Sequence, residues 1–365
     1  MSSYEIAVLG GDGIGPEITR LAIDVVNAAI ERAGGFELEY TTVDASVRQW
    51  QRTGSAMTSE QFETCRDAHA ILFGAIGLPG VLHPDGTEVS GDVMFGLRFG
   101  LDLFAGLRPV KTYPGVPSLL ARGEGIDYVV VRESVEGLFA SRGAGVNVRD
   151  EVVIDQLVIT RNGTQKVVRR AFELARQRAE RLGRPGKVTC VDKANVFASY
   201  AFFRKVFDEV AREFPDVASD HVFVDAMTLY QVQSPQQFDV VVTENMFGDI
   251  ITDLSAATIG GLGLAASGDI GNDHGLFQPA HGSAPALAGK DVANPVAAIL
   301  SAAMMLDWLA ARHDDPAMAK AAQQIVRATE ASLTSPATRT ADLGGSAGSS
   351  QVAAAIVAAL DAGES

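Results

Sequence analysis

Cysteine is nearly absent from the chain, whose 365 residues include only Cys65 and Cys190. A disulfide framework is therefore not expected, and so few cysteines are typical of proteins of the reducing cytoplasm. The N-terminal stretch MSSYEIAVLGGDGIGPEI also lacks the basic and long apolar segments of a signal peptide. Apolar runs such as DYVVVRES have only the length of a strand, so no membrane span is expected. The sequence predicts a cytoplasmic protein.

Positive charge is scarce as well, with 30 Lys and Arg residues against 45 Asp and Glu residues and a net charge of −15 at pH 7. This balance argues against a nucleic-acid partner, because phosphate binding requires a basic surface. It does not exclude a small anionic substrate, which needs only a local group of arginines. Hydrophobic residues make up 47% of the chain and charged residues 21%. This composition is typical of a globular chain that is long enough for two domains.

Short runs rich in β-branched residues alternate with segments of helical period. The predicted buried strands are YEIAVLGGDG, HAILFGAIG, IDYVVVRES, KVTCVDKAN, HVFVDA and FDVVVTEN. The helices predicted between them include residues 15–33, 167–182, 195–213 and 295–312. This alternation favours an α/β fold, in which functional residues collect beyond the carboxyl ends of the strands.

The segment GAGVNVRDEVVIDQLVITRNG differs from the rest, since it alternates like a strand and has no predicted helix nearby. It is interpreted either as an arm that pairs with a second subunit or as a plain surface hairpin.

Two glycine-containing segments are candidate ligand-binding loops. GGDGIGPEI follows a strand and precedes a helix, but it reads G-x-G-x-G rather than G-x-G-x-x-G. A mononucleotide fingerprint is therefore weakly indicated, and a tight turn near a ligand is the alternative. QPAHGSAPALAGKDVANP, residues 278–295, predicts a long irregular loop with backbone N–H groups and the His281 ring for stacking on a base. His281 as a purely structural hydrogen-bonding residue is the alternative.

Three arginines adjoin apolar segments. Arg98 and Arg108 flank FGLDLFAGL, and Arg132 ends an otherwise apolar strand. A guanidinium in such surroundings requires a carboxylate or phosphate partner, because burying it unpaired is costly. Each one alone fits an internal salt bridge, whereas the three together fit a di- or tricarboxylate substrate.

Aspartates provide a candidate metal site. Asp249 and Asp253 are four residues apart in FGDIITDLSA, which places both on one face of a helix, and Asp225 follows a strand. Two like charges at this spacing repel each other unless a cation binds between them. The ligands are hard oxygens only, which favours Mg²⁺ or Mn²⁺ over zinc. The alternative, a solvated helix face, is disfavoured by the apolar neighbours Ile250 and Ile251.

Together these motifs resemble the metal-dependent decarboxylating β-hydroxyacid dehydrogenases, the isocitrate/isopropylmalate dehydrogenase family. The resemblance covers essentially the whole chain. Its motifs are GDGIGPEI, DLFAGLRPV, VVRES, VDKANV, VDAM, VVTENMFGDIITDLSA, HGSAP, ANPVAAILSAAMML and DLGGSAG. Among the members, 3-isopropylmalate dehydrogenase is the most similar in kind.

The resemblance implies a two-domain α/β fold that differs from the Rossmann fold, with mixed sheets and flanking helices. Residues 1–103 and 260–365 would form a large, cofactor-contacting domain. Residues 104–259 would form a small domain for dimerisation and metal binding, with an arm near residues 143–163. A homodimer with shared active sites is implied.

The resemblance also implies roles for individual residues. Arg98, Arg108 and Arg132 would bind the carboxylates of a malate, while Met94 and Phe95 would face the substituent at C3. An apolar pair at these positions favours a 3-alkylmalate over isocitrate or tartrate, and Gly91 leaves additional room where a glutamate is usual.

The catalytic and cofactor residues are implied in the same way. Lys193 would be the general base and would come from the partner subunit, as would Asp225. Asp249 and Asp253 would bind Mg²⁺ or Mn²⁺ together with Asp225 of the partner subunit. NAD would contact the loop through His281, Gly282, Ser283, Ala284 and Asn294. The implied reaction is NAD-dependent oxidative decarboxylation of a 3-substituted malate.

Two further positions depart from the family pattern. Phe139 stands where the family usually has a tyrosine that protonates the enol product, and a phenyl ring has no O–H to donate. Ala286 stands where NAD-dependent members usually have an acidic residue that binds the adenosine ribose. These departures keep two alternatives open: a D-malate or tartrate dehydrogenase, and a non-catalytic regulatory homologue.

Overall fold

The structure is a computed structural model that describes residues 2–360. Its strands are β1 (Ser2–Gly11), β2 (Phe36–Thr42), β3 (Ala70–Ala75), β4 (Ala105–Lys111), β5 (Asp127–Glu133), β6 (Val146–Val148), β7 (Val152–Ile154), β8 (Lys187–Asp192), β9 (Ala218–Phe223), β10 (Val240–Thr243), β11 (Ala266–Ile270) and β12 (Gly275–Pro279). Its α-helices are α1 (Gly15–Ala33), α2 (Val47–Thr53), α3 (Ser59–Asp67), α4 (Ser90–Gly100), α5 (Arg161–Leu182), α6 (Ala198–Ala211), α7 (Val224–Gln233), α8 (Asn245–Thr258), α9 (Val296–His313), α10 (Pro316–Leu333) and α11 (Ser349–Ala359).

The chain divides into two compact units. Within the described chain, unit 1 consists of residues 2–102, 113–117 and 260–360, and unit 2 consists of residues 103–112 and 118–259. The predicted division differs in two details, because Leu103 belongs to unit 2 and the short segment 113–117 belongs to unit 1. The functions predicted for the two domains stay predictions.

Unit 1 contains strands in the order β2-β1-β3-β12-β11. β1 is parallel to β2 and β3, β12 is parallel to β3, and β11 is antiparallel to β12. Every residue of β3 is buried, as expected for a strand that is covered on both faces. Helix α9 is long and apolar enough to cross a membrane by length and composition, but 67% of it is buried inside the protein. Its apolar surface is therefore explained by the core.

Unit 2 contains strands in the order β4-β5-β10-β8-β9. β4 is antiparallel to β5, and the other neighbours are parallel. The parallel strands place their carboxyl ends at one edge, so the polar residues that follow them collect there. The predicted α/β fold with mixed sheets and flanking helices is confirmed.

Helix α5 begins earlier than predicted. Its first residue is Arg161 rather than residue 167, because the Thr160 hydroxyl accepts a hydrogen bond from the backbone N–H of Gly163 at 3.0 Å and caps the helix. The expectation that no helix lies in segment 143–163 was therefore wrong for its last three residues. Further upstream, β6 and β7 form the expected antiparallel hairpin.

A buried network of ion pairs connects helix α5 to the start of strand β5 and to the residue that precedes strand β10. Arg178 Nε donates to Asp239 Oδ1 at 2.9 Å, and its Nη2 donates to the Asp127 side chain at 2.9 Å. The second oxygen of Asp239 accepts the backbone N–H of Lys187 at 3.1 Å. Because Arg178 and Asp239 are both buried, neither charge has water to replace a lost partner.

We expect Arg178→Met to lower the free energy of unfolding by roughly 3 kcal/mol, because it removes the buried cation of Asp239 and leaves that carboxylate only the partly exposed Arg184, 3.1 Å away. The matched control is Arg169→Met. Arg169 also lies on α5, and its ion pair with Glu213 is exposed. This control should cost about 0–1 kcal/mol. Chemical denaturation of both variants measures the difference, and equal losses would contradict the assigned role of the network.

Strand β5 ends in a buried carboxyl group, Glu133. Its two oxygens accept the backbone N–H groups of Val135 and Glu136 at 2.8 and 2.7 Å, which fixes the turn after the strand. Burial, only partly offset by these hydrogen bonds, raises the pKa of Glu133 to about 7 from its usual 4.5. The folded protein therefore binds a proton at Glu133 more tightly than the unfolded chain does.

Because the folded-state pKa is the higher one, the contribution of Glu133 to stability is greatest below pH 4.5 and falls as the pH rises to about 7. We expect the wild type to lose up to about 3 kcal/mol of unfolding free energy relative to Glu133→Gln as the pH rises from 4.5 to about 7. Urea unfolding at a series of pH values measures it. A pH-independent difference would show that Glu133 does not titrate in this window.

Candidate active site

Arg132, at the end of β5, organises the strand-end edge of unit 2. Its Nε and Nη2 donate to the Asn245 side-chain oxygen at 3.0 and 2.7 Å, and its Nη1 donates to Asp249. The guanidinium lies over the ring of Phe139, and the distance from Arg132 Cζ to the ring centroid is 5.1 Å. A Cβ on Gly248 would come within 2.5 Å of the Arg132 side chain, so a glycine lets α8 approach. The buried Arg132 therefore has a carboxylate partner within the protein, as one interpretation of the sequence required.

Helix α8 carries the predicted metal ligands. Glu244 precedes it and accepts the backbone N–H groups of Met246 and Phe247. Asp249 and Asp253 lie on the exposed face, and the Asp249 side chain is 55% exposed. Ile250 is exposed as well, so the argument that apolar neighbours bury this face was wrong for Ile250. Ile251 packs on the opposite, buried side, because the helical period separates the two isoleucines.

The electrostatics of α8 favour a cation. Loss of solvation and the neighbouring Asp249 charge raise the pKa of Asp253, while Arg132 and Arg108 oppose the shift. Arg108 lies in β4, where it is buried and its Nη1 donates to the Leu107 carbonyl at 3.2 Å. The raised pKa of Asp253 thus has desolvation as its main cause, and the neighbouring Asp249 charge adds to it.

The residues fit a divalent cation in their donor chemistry, since two carboxylates one helical turn apart provide hard oxygen ligands for Mg²⁺ or Mn²⁺. Within residues 2–360 of one chain, no group of three or more His, Cys, Asp or Glu side chains forms a metal cluster. Asp225 therefore does not complete the site with Asp249 and Asp253 of its own chain. The contribution of a third carboxylate by a partner subunit stays a prediction.

Lys193 and Asp225 lie together. Lys193 follows β8, and Asp225 is in the first turn of α7 after β9. Because β8 and β9 are parallel neighbours, their ends meet, and Lys193 Nζ lies 2.5 Å from Asp225 Oδ1. The hydrogen bond from Lys193 lowers the pKa of the Asp225 carboxyl. The family resemblance implies that Lys193 and Asp225 come from the same subunit, and within one chain they form an ion pair.

In unit 1, Arg98 forms a buried salt bridge. It lies in the last turn of α4, and its Nε and Nη2 are 3.0 and 2.9 Å from Asp269 Oδ2. Met94 and Phe95 are half-buried on the same helix, where Phe95 stacks on Phe99 with ring centroids 5.6 Å apart. Asp269 was not predicted as a site residue, because it lies in no motif of its own.

The two glycine-containing segments contact each other in unit 1. The backbone N–H of Ile14 donates to the Ser283 carbonyl at 2.7 Å. Gly13 has a φ of +57°, and a Cβ there would lie 2.0 Å from that same carbonyl oxygen. Glycine is thus required for the close approach, which fits the tight-turn interpretation of GGDGIGPEI.

Asp12 is a second residue that was not predicted from the sequence. It is completely buried, and its carboxylate accepts backbone N–H groups of Val47, Arg48 and Gly77 at 3.0, 3.2 and 3.1 Å. It therefore connects the glycine turn to α2 and to the segment after β3. Its position inside GGDGIGPEI was the one feature of the sequence that could have indicated its role.

The loop after β12 contains the predicted cofactor residues. Burial lowers the pKa of His281, which favours a neutral ring, and its Nδ1 lies 2.9 Å from the Gly282 carbonyl oxygen. Asn294 donates to Asp342 Oδ2 at 3.0 Å. Ala284 has a φ of +38°, an unusual backbone conformation for a residue with a side chain. A neutral ring suits stacking on a base, and the cofactor contact itself stays a prediction.

Comparison with known proteins identifies the family of the chain. A sequence model of the family described as isocitrate/isopropylmalate dehydrogenase matches residues 5–358. The chain is 42% identical over 343 residues to a 3-isopropylmalate/3-methylmalate dehydrogenase of Methanocaldococcus jannaschii, with 94% of each chain covered. It is 43% identical over 311 residues to a 3-isopropylmalate dehydrogenase of Corynebacterium glutamicum, covering 84% of this chain and 88% of the relative.

The solved structures include an isocitrate dehydrogenase from Methylococcus capsulatus, which superimposes with a TM-score of 0.84 at 34% identity. The match covers 98% of this chain and 99% of that chain. The resemblance inferred from the motifs is confirmed over nearly the full length. The chain belongs to the isocitrate/isopropylmalate dehydrogenase family, a family of dehydrogenases that act on CH–OH groups.

Proposed function

We propose that the protein catalyses the NAD-dependent and Mg²⁺- or Mn²⁺-dependent oxidative decarboxylation of a 3-substituted malate, most like 3-isopropylmalate, in the cytoplasm. The observation that carries this proposal is the contact between Arg132 and Asp249 on the strand-end edge of unit 2. It places a buried guanidinium, which binds carboxylates, directly beside a pair of carboxylates suited to a cation. A 2-hydroxy acid has a carboxylate for the guanidinium and a hydroxyl for the cation.

Substrate binding is assigned to Arg98, Arg108 and Arg132, all of them buried. Guanidinium groups held by protein hydrogen bonds are preorganised, so little entropy is lost when a carboxylate binds. Met94 and Phe95 are assigned to the C3 substituent, because their apolar side chains provide no hydrogen-bond donor for a carboxylate or a hydroxyl. This assignment favours an alkyl substituent, as the names of the two relatives also do.

Proton transfer at the C2 hydroxyl is assigned to Lys193. In its deprotonated form the Lys193 amine can accept the proton directly, and the Asp225 carboxylate, 2.5 Å from Nζ, orients it. A divalent cation held by Asp249, Asp253 and a partner subunit's carboxylate would lower the pKa of the hydroxyl and favour the loss of CO₂.

The loop residues His281, Gly282, Ser283, Ala284 and Asn294 are assigned to NAD, which supplies the hydride acceptor. Phe139 cannot donate the final proton at C3, because it has no O–H group. Another group or a water molecule performs that step in the proposed reaction.

A homodimer is part of the proposal. Hairpin β6–β7 exposes five apolar β-branched side chains, namely Val146, Val148, Val152, Val153 and Ile154. Apolar side chains concentrated on an exposed hairpin indicate a protein contact.

The function is tested by NADH formation and CO₂ release with Mn²⁺ or Mg²⁺ across 3-isopropylmalate, D-malate, tartrate and isocitrate. We expect matching NADH and CO₂ with 3-isopropylmalate and complete loss after treatment with a chelator. Higher kcat/KM on D-malate or tartrate would favour that alternative activity. Retained Mn²⁺ binding without turnover of any substrate would favour a regulatory homologue.

A variant pair tests the metal assignment in the same assay. Asp253→Asn should raise the Mn²⁺ concentration needed for half-maximal activity by at least about tenfold, because it removes a charged ligand. Asp24→Asn, which removes an exposed carboxylate paired with Arg20 on α1, is the matched control and should leave it unchanged. An equal effect of both substitutions would contradict the assignment.

We expect Val153→Asp to shift the protein from dimer to monomer, because Val153 is 67% exposed in one chain and a charge there would be buried in the dimer contact. Leu119→Asp is the control, since Leu119 is 81% exposed in unit 2 but lies outside the hairpin. Sedimentation velocity measures both. Should Val153→Asp remain as dimeric as the control, the hairpin is only a surface feature.

A further inference from the structure

The Arg98–Asp269 pair removes one positive charge from the proposed substrate site. A single oxygen, Asp269 Oδ2, accepts a hydrogen bond from Arg98 Nε at 3.0 Å and lies 2.9 Å from Arg98 Nη2. The Arg98 side chain is 8% exposed and the Asp269 side chain 0%. Among the described residues, Asp269 is the only hydrogen-bonding and ionic partner of the Arg98 side chain.

Asp269 contacts only one side of the Arg98 guanidinium. Asp269 occupies the edge formed by Nε and Nη2, which fixes the orientation of the planar group. Nη1 makes no hydrogen bond within residues 2–360, so it is the atom that can donate to a ligand. Arg98 can therefore still hold a carboxylate by a hydrogen bond, while its charge is largely balanced by Asp269.

The pair lies next to the predicted apolar contacts. Met94 and Phe95 precede Arg98 by four and three residues on α4, so all three share one face of the helix. A C3 substituent that packs on Met94 and Phe95 thus lies within about one helical turn of Arg98. An unpaired arginine at this place would attract a carboxylate on the substituent, whereas a balanced pair does not.

We propose that Asp269 is a specificity-determining and positioning residue. It holds the Arg98 fork in place for a malate carboxylate and cancels the charge that would otherwise favour a carboxylate on the C3 substituent. The site therefore prefers alkylmalates to tricarboxylic hydroxy acids. This inference rests on the proposed function and adds to it the residue that sets the charge of the accepted substituent.

The test compares two substrates of nearly equal shape, 3-isobutylmalate and isocitrate, whose substituents differ by replacement of two methyl groups with carboxylate oxygens. For the wild type we expect the higher kcat/KM with 3-isobutylmalate. Asp269→Asn should reduce that preference by at least about tenfold, mainly through KM, because it exposes the Arg98 charge to the substituent. Asp273→Asn, at an exposed position of the same unit, is the matched control and should keep the wild-type preference.

A merely structural role of Asp269 would lower activity on both substrates by the same factor, and that result would overturn the inference. If Asp269→Asn does not fold, the double variant Arg98→Gln, Asp269→Asn removes both buried charges together and decides the question. Its preference should stay close to that of the wild type, and a loss of preference would overturn the inference. If the wild type oxidises neither substrate nor any other malate, the proposed function fails instead.

Discussion

The requirement that a buried charge have a partner determines the organisation of both units. In unit 2, Arg132 is buried at the end of β5 and can remain there because Asn245 and Asp249 accept its hydrogen bonds. These contacts fix the start of α8 relative to the sheet. In unit 1, Arg98 and Asp269 satisfy each other in the same way. Removing either partner would leave an uncompensated ion in a medium of low polarity.

The same requirement explains how a binding site can exist before its ligand arrives. The protein holds its arginines with its own carboxylates, so they keep their positions without substrate. Asp249 has two partners in the proposed function, Arg132 and a metal ion. Because this carboxylate is largely exposed, it is accessible to both.

Close backbone approach is the second constraint. Gly13 lets the N-terminal turn contact Ser283, and Gly248 lets α8 lie against Arg132. Any side chain at either position would overlap an atom of the neighbouring segment. Gly13 of GGDGIGPEI is thus explained by packing between two loops, one of which is the predicted cofactor loop.

Local sequence predicted a large part of the molecule. Helix α1 was predicted with its observed bounds, because its apolar period and the proline in its first turn are local signals. The start of α5 was missed by six residues, since its capping residue Thr160 lies in a segment that alternates like a strand. The exposure of Ile250 was also missed, because composition around a helix does not show which face is covered.

The sequence by itself determined the fold class, the family, and the arginines and aspartates with site chemistry, because these follow from patterns within short segments. Only the tertiary structure decided which charges meet. Asp269 lies 171 residues from Arg98, and Asp249 lies 117 residues from Arg132. Each of these pairs joins a helix to a strand that is far away along the chain, and no local pattern contains such a contact. The pairing of Lys193 with Asp225 is also a tertiary contact, since it follows from the parallel alignment of β8 and β9.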